Sequence, residues 1–225
     1  PEILIISTGS IPQIPEKILE DNSIKNIDSN YSQNFTTAHD VLRGTRSVAN
    51  HVVIIGGGAT GAETAEFLAI QGKKVILLEL SDEIAKDIDP LRRPFLLQQI
   101  EKLGITIILN SKNIKINNGY LEVEVDGTTK RLEEVESIVF AVGVKSDTQL
   151  KKVAENCMVQ YYIIGDADQP GNAMDAVFAG AELALRICNM DSAPETKSEK
   201  LSNKTISELA AEITRQIRLK LGIDD

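Results

Sequence analysis

The apolar residues of this chain fall into short unbroken runs, separated by longer stretches in which they recur at helical spacing. Ile3 to Ile6, Val52 to Ile55, Lys74 to Leu78, Ile105 to Leu109, Ser137 to Ala141 and Tyr161 to Ile164 have the length and continuous apolar character of strands covered on both faces. Between them, Ala62 to Ile70 sets Ala65, Leu68 and Ala69 at helical spacing. Pro90 to Leu103 sets Phe95, Leu96, Ile100 and Leu103 along one side before Gly104 ends it. Strand and helix take turns, as a parallel sheet with crossover helices requires.

Elsewhere the period changes. Asn113 to Ile116, Tyr120 to Val125 and Thr129 to Leu132 are short segments divided by Asn117-Asn118-Gly119 and Asp126-Gly127, which predicts an antiparallel three-strand meander. Residues 16–35 are polar and read as an irregular connection, and Thr37 to Gly44 as a short capped helix. Ser81 to Ala85 reads as a helical turn, and Asp147 to Asn156 and Ala173 to Cys188 as helices. After Asn189 a Ser/Glu/Lys linker leads to a helix from about Thr205 to Leu221, whose apolar side suits docking on another part of a longer protein or an oligomer contact.

The candidate chemistry gathers at Gly56-Gly57-Gly58-Ala59-Thr60-Gly61, which joins the second apolar strand to a helix, with Glu79 standing 18 residues past Gly61 at the end of the next strand. A strand, Gly-x-Gly-x-x-Gly, a helix, a second strand and a terminal acid together make a complete dinucleotide fingerprint. Gly56 permits the sharp turn, Gly58 lets backbone approach a pyrophosphate, and Gly61 lets the helix lie close on the strand. The helix N-terminus offers free N–H groups and partial positive charge to the phosphates. Glu79 is placed to accept hydrogen bonds from the adenosine ribose hydroxyls and to repel a 2′-phosphate, which favours NAD over NADP. Gly165-Asp166, between a strand and a helix, sets a second acid at the C-terminal edge of a sheet. Asp166 there is either a helix cap or a ligand contact.

The totals narrow the partners. A net charge of −9 argues against nucleic acid or an anionic membrane surface. No apolar run reaches the roughly 18 residues that cross a bilayer and no signal peptide opens the chain, so a cytoplasmic protein is expected. Cys157 and Cys188 lack the spacing of a redox pair or a metal site and read as reduced thiols. Pro1 leads directly into an apolar strand, the look of a piece of a longer protein.

With these residues in view, the sequence resembles the FAD- and NAD-dependent pyridine nucleotide-disulfide oxidoreductases. It is most similar to the C-terminal reductase portion of old-yellow-enzyme-like NADH:flavin oxidoreductases of the 2-enoate and 2,4-dienoyl-CoA reductase type. Ile6 to Ser10, Val53 to Glu79, Ala141-Val142-Gly143-Val144 and Ile163-Ile164-Gly165-Asp166 carry the resemblance, and Asp82 to Arg92 points to the fusion enzymes in particular. It covers about residues 1–190.

The resemblance implies an α/β fold in which a Rossmann-like NAD-binding domain, parallel sheet plus meander, is inserted in a partial FAD-binding domain. Residues 1–15 would be the FAD-domain strand and exit, 16–50 a linker, 51–146 the NAD(H) domain, 147–190 the return to the FAD domain and 191–225 a linker and tail helix. Thr8, Gly9, Gly165, Asp166 and Ala176 would lie along the flavin, with Asp166 on its ribityl chain and the helix start near Asn172 to Asp175 at its pyrimidine edge. The nicotinamide would lie near Ala59, Glu63, Val142 and Gly143. The family's FAD-pyrophosphate glycine motif and its Cys-x-x-x-x-Cys have no counterpart in this chain, nor do an iron-sulfur cysteine cluster or an FMN barrel. FAD is therefore expected only in the intact protein, FMN and a 4Fe-4S centre in its other segments, and no disulfide chemistry.

The leading expectation is the NADH-binding portion of a flavoprotein reductase, an oxidoreductase fragment inactive alone. It would pass hydride from NADH to FAD and on to a flavin or Fe-S centre that reduces an unsaturated substrate. Its partners would be NADH, the FAD and FMN domains of the same protein, and a second copy in a homo-oligomer. Two rivals stand beside it: a non-catalytic ADP- or NAD-binding module, and a subunit that assembles with a separate FAD-bearing chain.

Overall fold

A computed structural model of the chain describes residues 3–14, 34–156 and 160–190. Cys157, the linker after residue 190 and the expected tail helix lie outside them. The chain divides into two compact units, Ile11–Lys145 and the segments on either side of it, so the larger unit is inserted in the sequence of the smaller.

In the larger unit, β3 (Phe35–Thr37), β4 (His51–Ile55), β5 (Lys74–Leu78), β6 (Thr106–Ile108) and β10 (Ser137–Phe140) form a parallel sheet in the order β3-β10-β4-β5-β6. Its strands are continuous apolar runs because both faces are covered. Val52, Ile54, Val75, Leu77 and Val139 pack on one side with buried Ala62, Ala65 and Leu68 of α2 (Ala59–Ile70) and Leu96 and Ile100 of α3 (Arg93–Lys102). Val53, Ile55, Leu78, Ile138 and Phe140 pack on the other with Ile116, Leu121, Val123 and Val125 of a meander built from β7 (Ser111–Asn117), β8 (Tyr120–Val125) and β9 (Thr128–Leu132). The two-residue period of a strand thus sends neighbouring side chains into two separate cores. Each fully buried Val, Ile or Leu contributes roughly 1.5–3 kcal/mol, which makes this sandwich a rigid base for the loops at its strand ends.

The meander and the parallel sheet match the sequence expectation, and the departures have local causes. Phe35–Thr37 forms the edge strand β3, although the surrounding residues are polar; Phe35 meets Phe140 edge-on at 6.3 Å between ring centres. Thr37 then accepts the Asp40 N–H and caps α1 (Ala38–Leu42). The expected helical turn at Ser81–Ala85 is absent: the Ser81 N–H and hydroxyl both donate to Glu79, and Ala85 sits in the left-handed region at φ 56°. Helix α3 starts at Arg93 with Pro94 in its first turn, so the helix-starting proline is Pro94 and Pro90 belongs to the turn before it. Phe95, expected on the apolar side, is 71% exposed, and the buried stripe is Leu96 and Ile100.

In the smaller unit β1 (Ile3–Ile6) pairs parallel with β12 (Gln160–Ile163), flanked by α4 (Gln149–Asn156) and α5 (Ala173–Met190). Its buried cluster is Ile6, Ala154 and Ala167, with Leu4, Tyr161 and Ile163 against it. The short strands β2 (Ser10–Pro12) and β11 (Val144–Ser146), through which the chain leaves and re-enters this unit, pair with each other. Among the described residues no helix is long and apolar enough to cross a membrane.

Candidate functional site

Three neighbouring strands of the larger unit end level, and their exits build one cleft. Backbone bonds hold the tips in line: Gly56 N–H to Leu78 O at 2.9 Å, Glu79 N–H to Ile108 O at 2.9 Å and Ala141 N–H to Ile55 O at 2.8 Å. The cleft measures about 400 Å³ and is lined by Gly56, Gly58, Ala59, Glu79, Val142 and Gly143 among others. It lies beyond the carboxyl ends of parallel strands, where ligands of α/β sheets bind.

Each glycine of the motif has a separate steric reason. A Cβ at Gly56, whose φ is +106°, would come within 2.4 Å of the Ala141 carbonyl oxygen, and one at Gly61 within 1.8 Å of the Gly56 carbonyl oxygen. These two let turn and helix close on the strand tips. Gly57 is buried, and its Cβ position meets Ile84 and Glu79, so it packs behind the cleft. Only Gly58 is bare toward the ligand side, with the Asp87 carboxylate 3.3 Å from the missing Cβ.

Glu79 is held firmly. Its Oε2 accepts the Gly57 N–H at 2.5 Å, and its Oε1 accepts the Ser81 N–H at 2.8 Å and hydroxyl at 2.9 Å. Partial burial alone would raise its pKa, but hydrogen bonds from Ser81, Gly57 and Leu80 outweigh that and hold it below the usual glutamate value. The carboxylate is therefore charged at neutral pH. Ala59 opens α2, where Gly58 supplies no side-chain cap. Val142 and Gly143 form the facing wall, fixed by the Gln13 N–H donating to Gly143 O at 3.0 Å. Glu63 does not reach this cleft: it lies beyond the first turn of α2 and pairs with Arg92 at 2.9 Å.

The smaller unit has a site of its own. Ser7, Gly9, Gly165, Asp166, Asn172 and Ala176 border a cleft of about 390 Å³, and a groove of about 580 Å³ runs on along β12 and α5. Asp166 does not cap α5. It accepts the Ser10 hydroxyl at 3.0 Å and the Gly171 N–H at 3.1 Å, while Asn172 caps the helix by accepting from the Met174 and Asp175 N–H groups. Gly165, at φ +60°, brings its backbone close to Ala176, and the Thr8 hydroxyl donates to the Asp147 carbonyl at 3.1 Å. Sequence reasoning missed Asp87 and Ser81. Both sit in an irregular charged run; the folded turn brings Asp87 back to the glycine motif, and Ser81 acts on the site by holding the Glu79 carboxylate.

A parallel sheet backed by helices on one face and by an antiparallel meander on the other, with a glycine turn and an acid at adjacent strand tips, defines a Rossmann-like α/β protein. A family model described as pyridine nucleotide-disulphide oxidoreductase matches residues 2–203. The chain belongs to that family. It is 34% identical over 191 residues to an NADH oxidase of Thermoanaerobacter brockii, covering 83% of this chain and 28% of the relative. It is 29% identical to a cinnamate reductase of Clostridium sporogenes, over 82% of this chain and 26% of that one. A solved 2-naphthoyl-CoA reductase in complex with 2-naphthoyl-CoA matches with TM-score 0.70 and 26% identity, over 83% of this chain and 27% of that chain. The chain thus spans under a third of the length of these relatives, and they are of the kind expected for the reductase portion of old-yellow-enzyme-like flavin oxidoreductases.

Proposed function

We propose that this chain is the NADH-binding portion of a flavoprotein reductase. One observation carries the reading: the tips of β4, β5 and β10 bring Gly56–Gly61, Glu79 and Val142-Gly143 to a single cleft. The residues fit a dinucleotide. Gly58 leaves its backbone bare, the α2 N-terminus offers partial positive charge, and the charged Glu79 stands at the position that takes the adenosine ribose and disfavours a 2′-phosphate. Ala59 is small enough to leave room beside Val142-Gly143 for the nicotinamide end.

In the smaller unit Thr8, Gly9, Gly165, Asp166 and Ala176 fit the ribityl and pyrimidine side of FAD. Here Asp166, already oriented by Ser10 and Gly171, has acceptor capacity left for a hydroxyl. The chain's single Gly-x-Gly-x-x-Gly lies in the larger unit, so the pyrophosphate of FAD would need residues from other segments of the intact protein. When bound, the nicotinamide and flavin supply the hydride chemistry themselves. The chain's own residues bind, orient and set the local charge. FMN or an Fe-S centre in other segments would receive the electrons. An unsaturated acid or acyl thioester is the substrate class in keeping with the names of the cinnamate and 2-naphthoyl-CoA reductases.

Calorimetric titration with NADH, NADPH and ADP tests the reading. NADH should bind clearly tighter than ADP, NADPH should bind weakly, and Glu79→Ala should lower NADH affinity about tenfold while narrowing the gap to NADPH. Equal binding of ADP and NADH would instead identify a nucleotide-holding module without hydride transfer.

A further inference from the structure

The turn after β5 folds back across the start of α2 and closes on it with two polar contacts. Asp87 Oδ1 accepts the Ala59 N–H at 2.7 Å, and Arg92 pairs with Glu63 at 2.9 Å. The first contact matters for the cleft. Gly58 offers α2 no side-chain cap, so the carboxylate that satisfies this helix N-terminus comes from Asp87, and it lines the same cleft as Gly58, Ala59 and Glu79. Its second oxygen lies 3.3 Å from where a Gly58 Cβ would be, so the group stands over the one glycine left bare for a phosphate.

The charge cannot leave with its segment. Ile84, Ala85 and Ile88 on either side of Asp87 are buried in the helix-side core, Ala85 N–H donates to Gly57 O at 2.7 Å, and Arg93 holds the Ile84 carbonyl through Nε and Nη2 at 3.1 and 2.9 Å. Lifting the turn would strip three apolar side chains from the core, so Asp87 can swivel but not withdraw. Its charge is also uncompensated by its neighbours. Lys86 is engaged by Asp82 and Glu83, Arg92 by Glu63 and Arg93 by Glu83, and among the described residues no ion pair includes Asp87.

We infer that Asp87 is a built-in competitor for the pyrophosphate seat: its carboxylate occupies the α2 N-terminus and must be expelled from the Ala59 N–H whenever a diphosphate binds. This rests on the dinucleotide reading of the cleft and adds a regulation of it. Two anions cannot share one helix N-terminus without repulsion, and the displaced carboxylate stays within a few ångströms. The effect is to hold affinity down for every diphosphate ligand, reduced and oxidised dinucleotide alike, which favours rapid release, and to leave ligands without phosphate untouched.

The test uses the full chain and Asp87→Asn, titrated calorimetrically with ADP, NADH and adenosine in a chelator-containing buffer. Asn keeps an oxygen for the Ala59 N–H and removes the charge, so folding is preserved. The expected result is ADP and NADH binding roughly tenfold tighter in the variant at low salt, with adenosine unchanged. ADP bound equally or more weakly by Asp87→Asn overturns the competitor while leaving the dinucleotide site standing. Binding of neither ADP nor NADH by either chain overturns both. A second measurement needs only the wild type as reference: raising salt from about 20 mM to about 0.5 M screens the repulsion, so its ADP affinity should hold steady or improve while that of the variant falls. Equal weakening of both chains by salt would also overturn the proposal.

Discussion

The two units use the same kind of strand and obtain different cores from it. In the larger, β4 is buried from Val52 to Ile55 because α2 and α3 cover one face of the sheet and the meander covers the other. In the smaller, Ile3 to Ile6 is just as apolar, yet Ile6 is buried while Ile5 is 48% exposed, and Val177 of α5 is 64% exposed. A strand written for two covers receives one from the described residues. The lesson is that an apolar run states how much burial a strand is built for, and not whether the same stretch of chain supplies it.

The largest effect is expected at Gly61. An added Cβ would sit 1.8 Å from the Gly56 carbonyl, a backbone atom with no side-chain freedom to yield, so Gly61→Ala must push α2 off the sheet. Destabilisation of more than about 4 kcal/mol is expected, with loss of nucleotide binding. Urea unfolding and ADP titration check it. A smaller change sharpens the contrast between the cores. Ile54→Ala, in the doubly covered sheet, should cost about 2–5 kcal/mol, and Ile6→Ala, beside the three-residue cluster of the smaller unit, about half as much. Native-state hydrogen exchange at the β4–β5 and β1–β12 amides reads the two separately. Equal losses would show that the smaller core is as tightly packed as the larger.

These differences track what the sequence made legible. The parallel strands, their order of appearance and the meander turns could be read because period and glycine position are local signals, as at Asp126-Gly127, where both residues adopt positive φ. The fingerprint was legible for the same reason. Edge strand β3 was not, since three residues among polar neighbours carry no period and its place comes from pairing with β10. Ser81 to Ala85 was misread as a helical turn, and the helix after it was started at Pro90 where the structure starts it at Arg93. The conformation of that turn follows from one local contact, Ser81 on Glu79, and from two distant in sequence, Ala85 on Gly57 and Asp87 on Ala59. Glu63 looked like a cleft residue from its place in the motif, and its pairing with Arg92 depends on that same turn.

The finest test of the contrast is a single proton on Glu79, the group that ties the glycine turn to the end of β5. Burial opposes its charge, but the donors on Ser81, Gly57 and Leu80 prevail, so its folded-state pKa lies below the ordinary 4.5. A lowered acid contributes stability that is fully present above about pH 4.5 and is lost as pH falls through the folded value. Glu79→Gln keeps one acceptor oxygen but sets an NH2 where the other must meet a donor. The variant should therefore melt about 2 °C below the wild type at neutral pH. That gap should close as pH drops below the ordinary glutamate range, because the wild type then carries a neutral side chain as well. Thermal melts of both chains across pH 3 to 7, followed at amides of the larger unit, check this. A gap that stays constant into acid would show that the fit of the side chain, rather than its charge, holds the glycine turn to β5.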